Sequence, residues 1–111
     1  MNSLIFDEQQ ALAVANNNPQ LVIRIRSLML AELNDTSLTI RQAIEKKSFA
    51  SLDETLHHLK GTALSCAMPA LYEVTIALKT ALTEHNSQLI NEQHKRFQHE
   101  ILRIQQYSEP T

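Results

Sequence analysis

The sequence predicts an all-α fold, built as an antiparallel up-and-down bundle of helices. Three observations carry this prediction. The 111-residue chain has one Gly and three Pro, too little turn material for a hairpin-rich protein. Its bulk is Ala, Leu, Gln, Glu, Lys and Arg, all strong helix formers. Apolar residues recur at three- and four-residue spacing over several long stretches separated by short breaks, and short breaks make consecutive helices antiparallel neighbours. Hydrophobic residues make up 43% of the chain but aromatics only 5%, so aliphatic side chains fill the core of a single domain spanning 1–111.

Each element follows from its punctuation. Asp7 caps a short first helix running to about Ala15, with Gln10 at the capping-box position. Asn16-Asn17-Asn18 ends it, and Asn18-Pro19 opens the next as N-cap and first helical residue. That helix carries Leu21, Ile25, Leu28, Leu30 and Leu33 and reaches about Asn34. A helical pattern resumes through Leu38, Ile40, Ala43 and Ile44 to about Lys47, so residues 19–47 form one kinked helix or two. Ser51-Leu52-Asp53-Glu54 has the form of a capping box and predicts a helix from Leu52 to about Ala67. Pro69 stops that helix and starts another, with Leu71, Val74, Leu78 and Leu82. After Asn86-Ser87 a last helix runs from about Gln88 to Gln106, turning Leu89, Ile90, Phe97, Ile101 and Ile104 inward. Glu109-Pro110-Thr111 is a frayed tail.

Several function classes drop out on composition. The net charge of −2 gives no electrostatic case for nucleic acid. No apolar run approaches the length of a membrane span, and no secretory signal opens the chain. A single cysteine, Cys66, fits a reducing compartment, so the expected location is cytoplasmic. No Asp/Glu pair or Ser–His arrangement suggests a hydrolase. His85, His94 and His99 read as surface histidines, not metal ligands, because His94 and His99 lie about 140° apart on a helix. Cys66 reads as an inert core thiol. Met29 and Met68 read as core filler or interface rim, and Lys95, Arg96 and Arg103 as a solvated flank.

Leu56-His57-His58-Leu59-Lys60-Gly61-Thr62 is different. At about 100° per residue, Leu52, Leu56, Leu59, Ala63 and Cys66 form one inward seam, and His57 points about 140° away from it. Lys60 and Gly61 lie one turn on and share its face, together with Ala50 and Leu64. His58 turns toward Glu54, Thr62 and Ser65. Mid-helix Gly costs about 0.5–1 kcal/mol relative to Ala. Gly61 is neither a C-cap nor inward-facing, so the remaining reason for it is close approach of a partner to the backbone beside His57. An exposed nucleophile, a nearby cation, a missing side chain and an exposed Leu64 describe a docking place.

His57-His58-Leu59-Lys60-Gly61 resembles the H-x-x-K-G motif of histidine phosphotransfer (HPt) domains, the four-helix carriers of two-component phosphorelays. Phe6-Asp7 with Ala11-Leu12 is similar to the family's short extra N-terminal helix, Asn18–Leu33 to its next helix, and Met68-Pro69 through Leu82 to the helix behind the motif, as in the C-terminal modules of hybrid sensor kinases. The resemblance implies that His57 accepts a phosphoryl group from a receiver-domain aspartate and passes it to another. It implies that Lys60 balances phosphoryl charge, that Gly61 admits the receiver, and that Thr62 is a small residue beside the site. His58, Thr62 and Leu64 would border the docking surface. Two departures stand out. Leu64 and Ala67 replace further glycines, and Lys79 falls where some members place a histidine-orienting Gln, adding a second positive charge. The implied partners are receiver domains, which bring the Mg²⁺. The chain itself needs no cofactor, is a monomer, makes no membrane contact of its own and, lacking a phosphate-binding loop, has no kinase activity. If the chain is the cytoplasmic end of an inner-membrane sensor kinase, the parent protein is the kinase. The competing reading is a bundle that binds receivers without carrying phosphate; a metal- or haem-binding bundle is a third.

Overall fold

The computed structural model describes residues 4–107; the tail expected at Glu109–Thr111 lies outside them. Among the described residues there are α-helices and no strand: α1 (Glu8–Val14), α2 (Pro19–Glu45), α3 (Phe49–Ser65), α4 (Pro69–Thr83) and α5 (Ser87–Tyr107). Each helix packs on the next in sequence, and α5 closes back on α2. The body measures 42 × 26 × 24 Å.

The caps explain most boundaries. The Asp7 carboxylate accepts from Gln10 N at 3.1 Å, and the Asn18 side chain accepts from Gln20 N and Leu21 N. Asn86 Oδ1 accepts from Leu89 N at 3.0 Å and starts α5. α1, α2, α3 and α4 are each followed by a residue at left-handed φ, namely Asn16, Lys47, Ala67 and His85. After α1, α2 and α3 the next amide reaches back to close the last turn: Asn17 N to Leu12 O, Ser48 N to Ala43 O and Met68 N to Ala63 O. None of these positions is glycine.

Two expectations about the elements change. Residues 19–45 form one continuous helix of 27 residues, because Asp35-Thr36-Ser37 lie inside it without a break. Helix α3 begins at Phe49 rather than Leu52. The α2 closure at Lys47-Ser48 returns the chain directly to helical geometry, and Leu52 N already bonds Ser48 O at 3.0 Å. Ser51 therefore sits in the first turn of α3, and the Ser51–Glu54 capping box does not form. Ser48 is the N-cap and makes no side-chain cap bond. At its other end α3 stops at Ser65, because Ala67 turns left-handed.

The core follows the predicted seams on α3, α4 and α5. Leu52, Leu56, Leu59, Ala63 and Cys66 are buried, as are Leu71, Val74, Leu78 and Leu82, and Ile90, Phe97, Ile101 and Ile104. Met29 and Met68 are both core residues. On α2 the core takes Val22, Met29, Leu33, Ile40 and Ala43, while Leu21 and Leu28 face solvent, Leu28 at 62% exposure. This helix has apolar residues on several sides, and its true seam runs through Val22, Met29 and Leu33. Phe6 joins the same core from the N-terminal segment. That segment is pinned to the α3–α4 turn by Asp7 N to Ala67 O at 2.8 Å and Ala70 N to Leu4 O at 3.1 Å. Arg26 lies 4.0 Å above the Phe6 ring and pairs with Glu8 at 2.6 Å.

Candidate functional site

The α3 seam fixes where the motif points. With Leu52, Leu56 and Leu59 locked in the core, His57 is held on the outer face of α3. Among the described residues nothing hydrogen-bonds its ring, so both nitrogens are open to an incoming group. Lys60 is half-buried one turn on and likewise has no counter-ion among the described residues. A half-buried lysine characteristically covers its apolar stem and keeps its ammonium in water. Gly61 is exposed, and a Cβ built there would meet nothing within 4 Å. No packing inside this chain therefore requires glycine at position 61. Leu64 extends the strip at 47% exposure.

The remaining predicted site residues divide between the two flanks of α3. His58 is exposed on the α2 flank, where it lines a shallow cleft with Met29, Glu32, Leu33, Thr36 and Thr62. The Thr62 hydroxyl donates to His58 O at 3.1 Å, bonding its own helix one turn back. Lys79 lies on the other flank. Its Nζ is 2.8 Å from Asp53 Oδ1, an ion pair between α4 and α3. Asp53 stands four residues before His57 and so shares its face. The sequence does not single out Asp53: its spacing from His57 is visible there, but its pairing with Lys79 is not.

The other titratable groups are set apart from this strip. His94 is a correction: it is 9% exposed, not a surface histidine. It stacks on Phe97, and its Nε2 is buried without a partner among the described residues. Burial pushes its pKa down, Arg41 adds to this and Glu45 opposes it. Burial pushes the Cys66 thiol up, against a smaller pull from Arg26, which fits an inert thiol. Glu100 is 4% exposed, with burial raising its pKa and Arg103, paired at 2.6 Å, lowering it. Among the described residues no three His, Cys, Asp or Glu side chains come together as a metal site. No helix there is long and apolar enough to cross a membrane.

His57, Lys60 and Gly61 thus share one outward strip of α3, the lysine without a counter-ion among the described residues. The family model of the Hpt domain matches residues 24–107. The chain belongs to the Hpt family. No curated protein and no solved structure matches it significantly. Hpt domains serve histidine phosphotransfer in phosphorelays, act as phosphocarriers rather than kinases, and work with receiver domains. The match covers α3, α4 and α5 whole and most of α2, and leaves α1 outside.

Proposed function

We propose that His57 is the phosphorylated residue of this Hpt domain. It takes a phosphoryl group from a receiver aspartate and hands it to a second receiver. An unprotonated ring nitrogen attacks phosphorus, the N–P bond forms, the acyl-phosphate P–O bond breaks, and the aspartate carboxylate leaves. Phosphoryl transfer needs mostly positioning and charge stabilisation. Lys60 meets the equatorial oxygens, and Lys79 adds a second cation from α4. Gly61 leaves room for the receiver, which supplies Mg²⁺ and most of the catalytic groups; His58, Thr62 and Leu64 border the contact. The observation carrying this reading is the single exposed strip holding His57, Lys60 and an unobstructed Gly61.

In this reading α2–α5 form the antiparallel up-and-down four-helix bundle, with α1 as the short extra helix. The three-residue links at 46–48, 66–68 and 84–86 and the return of α5 onto α2 support that arrangement. The domain acts as a cytoplasmic monomer, without a cofactor or ATP-dependent activity of its own.

The test mixes the protein with a phosphorylated receiver domain and follows the phosphate. Acid-labile label on wild type and His58→Gln, and none on His57→Gln, is the expected result. Receivers that bind equally well to wild type and His57→Gln, with no label on either, would make the protein a pure binding module.

A further inference from the structure

The ion pair beside the nucleophile bears on how tightly the phosphoryl group is held. Asp53 and His57 are one turn apart on α3, so their Cβ atoms are roughly 5–6 Å apart. Lys79 reaches across from α4 to Asp53 at 2.8 Å. Its ammonium is therefore held by the carboxylate that shares a helix face with His57. Its side chain is 25% exposed and that of Asp53 54%, so the pair lies at the surface, within reach of solvent and salt. Lys60, by contrast, has no counter-ion among the described residues. The two lysines are thus unlike: one is unengaged, the other held by a carboxylate that shares the face of His57.

We propose that Asp53 is a positioning residue that competes with the His57 phosphoryl group for Lys79, and so sets how readily the domain releases its phosphate. The inference rests on His57 being the phosphorylated residue. With His57 unmodified, Asp53 and Lys79 neutralise each other. A phosphoryl dianion on His57 offers Lys79 a more highly charged partner and is itself repelled by Asp53. Loss of the phosphate requires the N–P bond to break with a proton going to the departing imidazole nitrogen. A neighbouring carboxylate favours that proton and a neighbouring ammonium opposes it. Asp53 therefore loosens the phosphate and Lys79 retains it. A carrier that must pass on what it receives benefits from this balance.

The two variants should act with opposite signs. Phosphoramidate loads exposed imidazoles without any protein partner: the imidazole–phosphorus bond forms, the donor N–P bond breaks, and ammonia departs with the imidazole proton. In hydrolysis, water attacks phosphorus, the imidazole regains a proton and inorganic phosphate leaves. The lifetime of phosphate at each histidine is read by peptide mapping, with exposed His85 as a reference in the same molecule. Asp53→Asn should lengthen the lifetime on His57 about threefold and Lys79→Met should shorten it by a similar factor, both effects shrinking with added salt. The double variant should return near wild type, and Asp53→Glu should behave as wild type. His85 should not respond to any of them. Shifts of the same sign in both single variants, or none at His57 relative to His85, would overturn the proposal. Failure of His57 to load while His85 loads would remove both this inference and the carrier reading. The expected lifetimes without transfer to any receiver would remove the carrier reading alone.

Discussion

His57 and His94 stand on two helices of one small bundle and live in opposite surroundings. His57 is exposed on α3, without a hydrogen bond to its ring among the described residues, with a lysine and a bare glycine on its face. His94 is enclosed on α5, stacked on Phe97, with Nε2 unpartnered among the described residues and burial pushing its pKa down. The difference separates two uses of the same side chain. The α3 strip gives up internal contacts to leave an imidazole available to a partner. The α5 interior holds an imidazole that fills space where burial disfavours its charged form.

The sharpest way to divide the two regions is to damage the second and watch the first. Phe97 is fully buried in the core and stacks on His94. Phe97→Ala should destabilise the fold by about 3–5 kcal/mol, from lost burial and the cavity left behind. At a temperature where the variant is still folded, phosphate uptake on His57 should match wild type. A loss of uptake in the folded variant, measured beside a denaturant titration, would mean that the two regions are coupled.

A smaller effect tests the enclosure of His94 itself. Its folded pKa lies below the ordinary imidazole value of 6.5. As pH falls through that value the unfolded chain binds a proton that the folded chain resists, so stability declines until the lower folded pKa is reached. Above about 6.5 the contribution is fully present. His94→Leu should flatten this component of a stability-against-pH curve, whose slope is no steeper than one proton's. Glu100 carries the opposite sign: its raised pKa contributes stability below the ordinary carboxyl value, which is lost as pH rises through the folded value. The two groups therefore contribute slopes of opposite sign to the curve.

The two regions were also unequally legible. The α3 seam and the outward direction of His57 follow from period alone, because Leu52, Leu56, Leu59 and Ala63 allow one inward face. The α4 and α5 seams were legible for the same reason. His94 was not, since periodicity counts histidine as polar and only the packing of α5 against its neighbours encloses it. The start of α3 was missed because Ser51-Leu52-Asp53-Glu54 is a valid local cap, overridden by the tight closure of α2 at Lys47. Asp53 was missed as part of the site because its significance lies in Lys79, a residue 26 positions away. Long-range pairing of that kind leaves no local signature.

The smallest expected effect concerns the glycine. The helix ends use Asn16, Lys47, Ala67 and His85 at left-handed φ, where glycine is the unstrained choice, while Gly61 occupies a helical interior where alanine is better. Since a Cβ at position 61 meets nothing, Gly61→Ala should raise stability by about 0.5–1 kcal/mol. Lys47→Gly should raise it by about 1 kcal/mol by relieving left-handed strain at an exposed site. The pair forms a controlled contrast, because both substitutions stabilise and only one lies on the His57 strip. Lys47→Gly should leave transfer from a phosphorylated receiver unchanged. Gly61→Ala should slow it, and Gly61→Leu should slow it further as the side chain blocks approach. If Gly61→Leu transferred phosphate at the wild-type rate, the glycine would have no role in docking, and its stability cost would be left without a cause in either region.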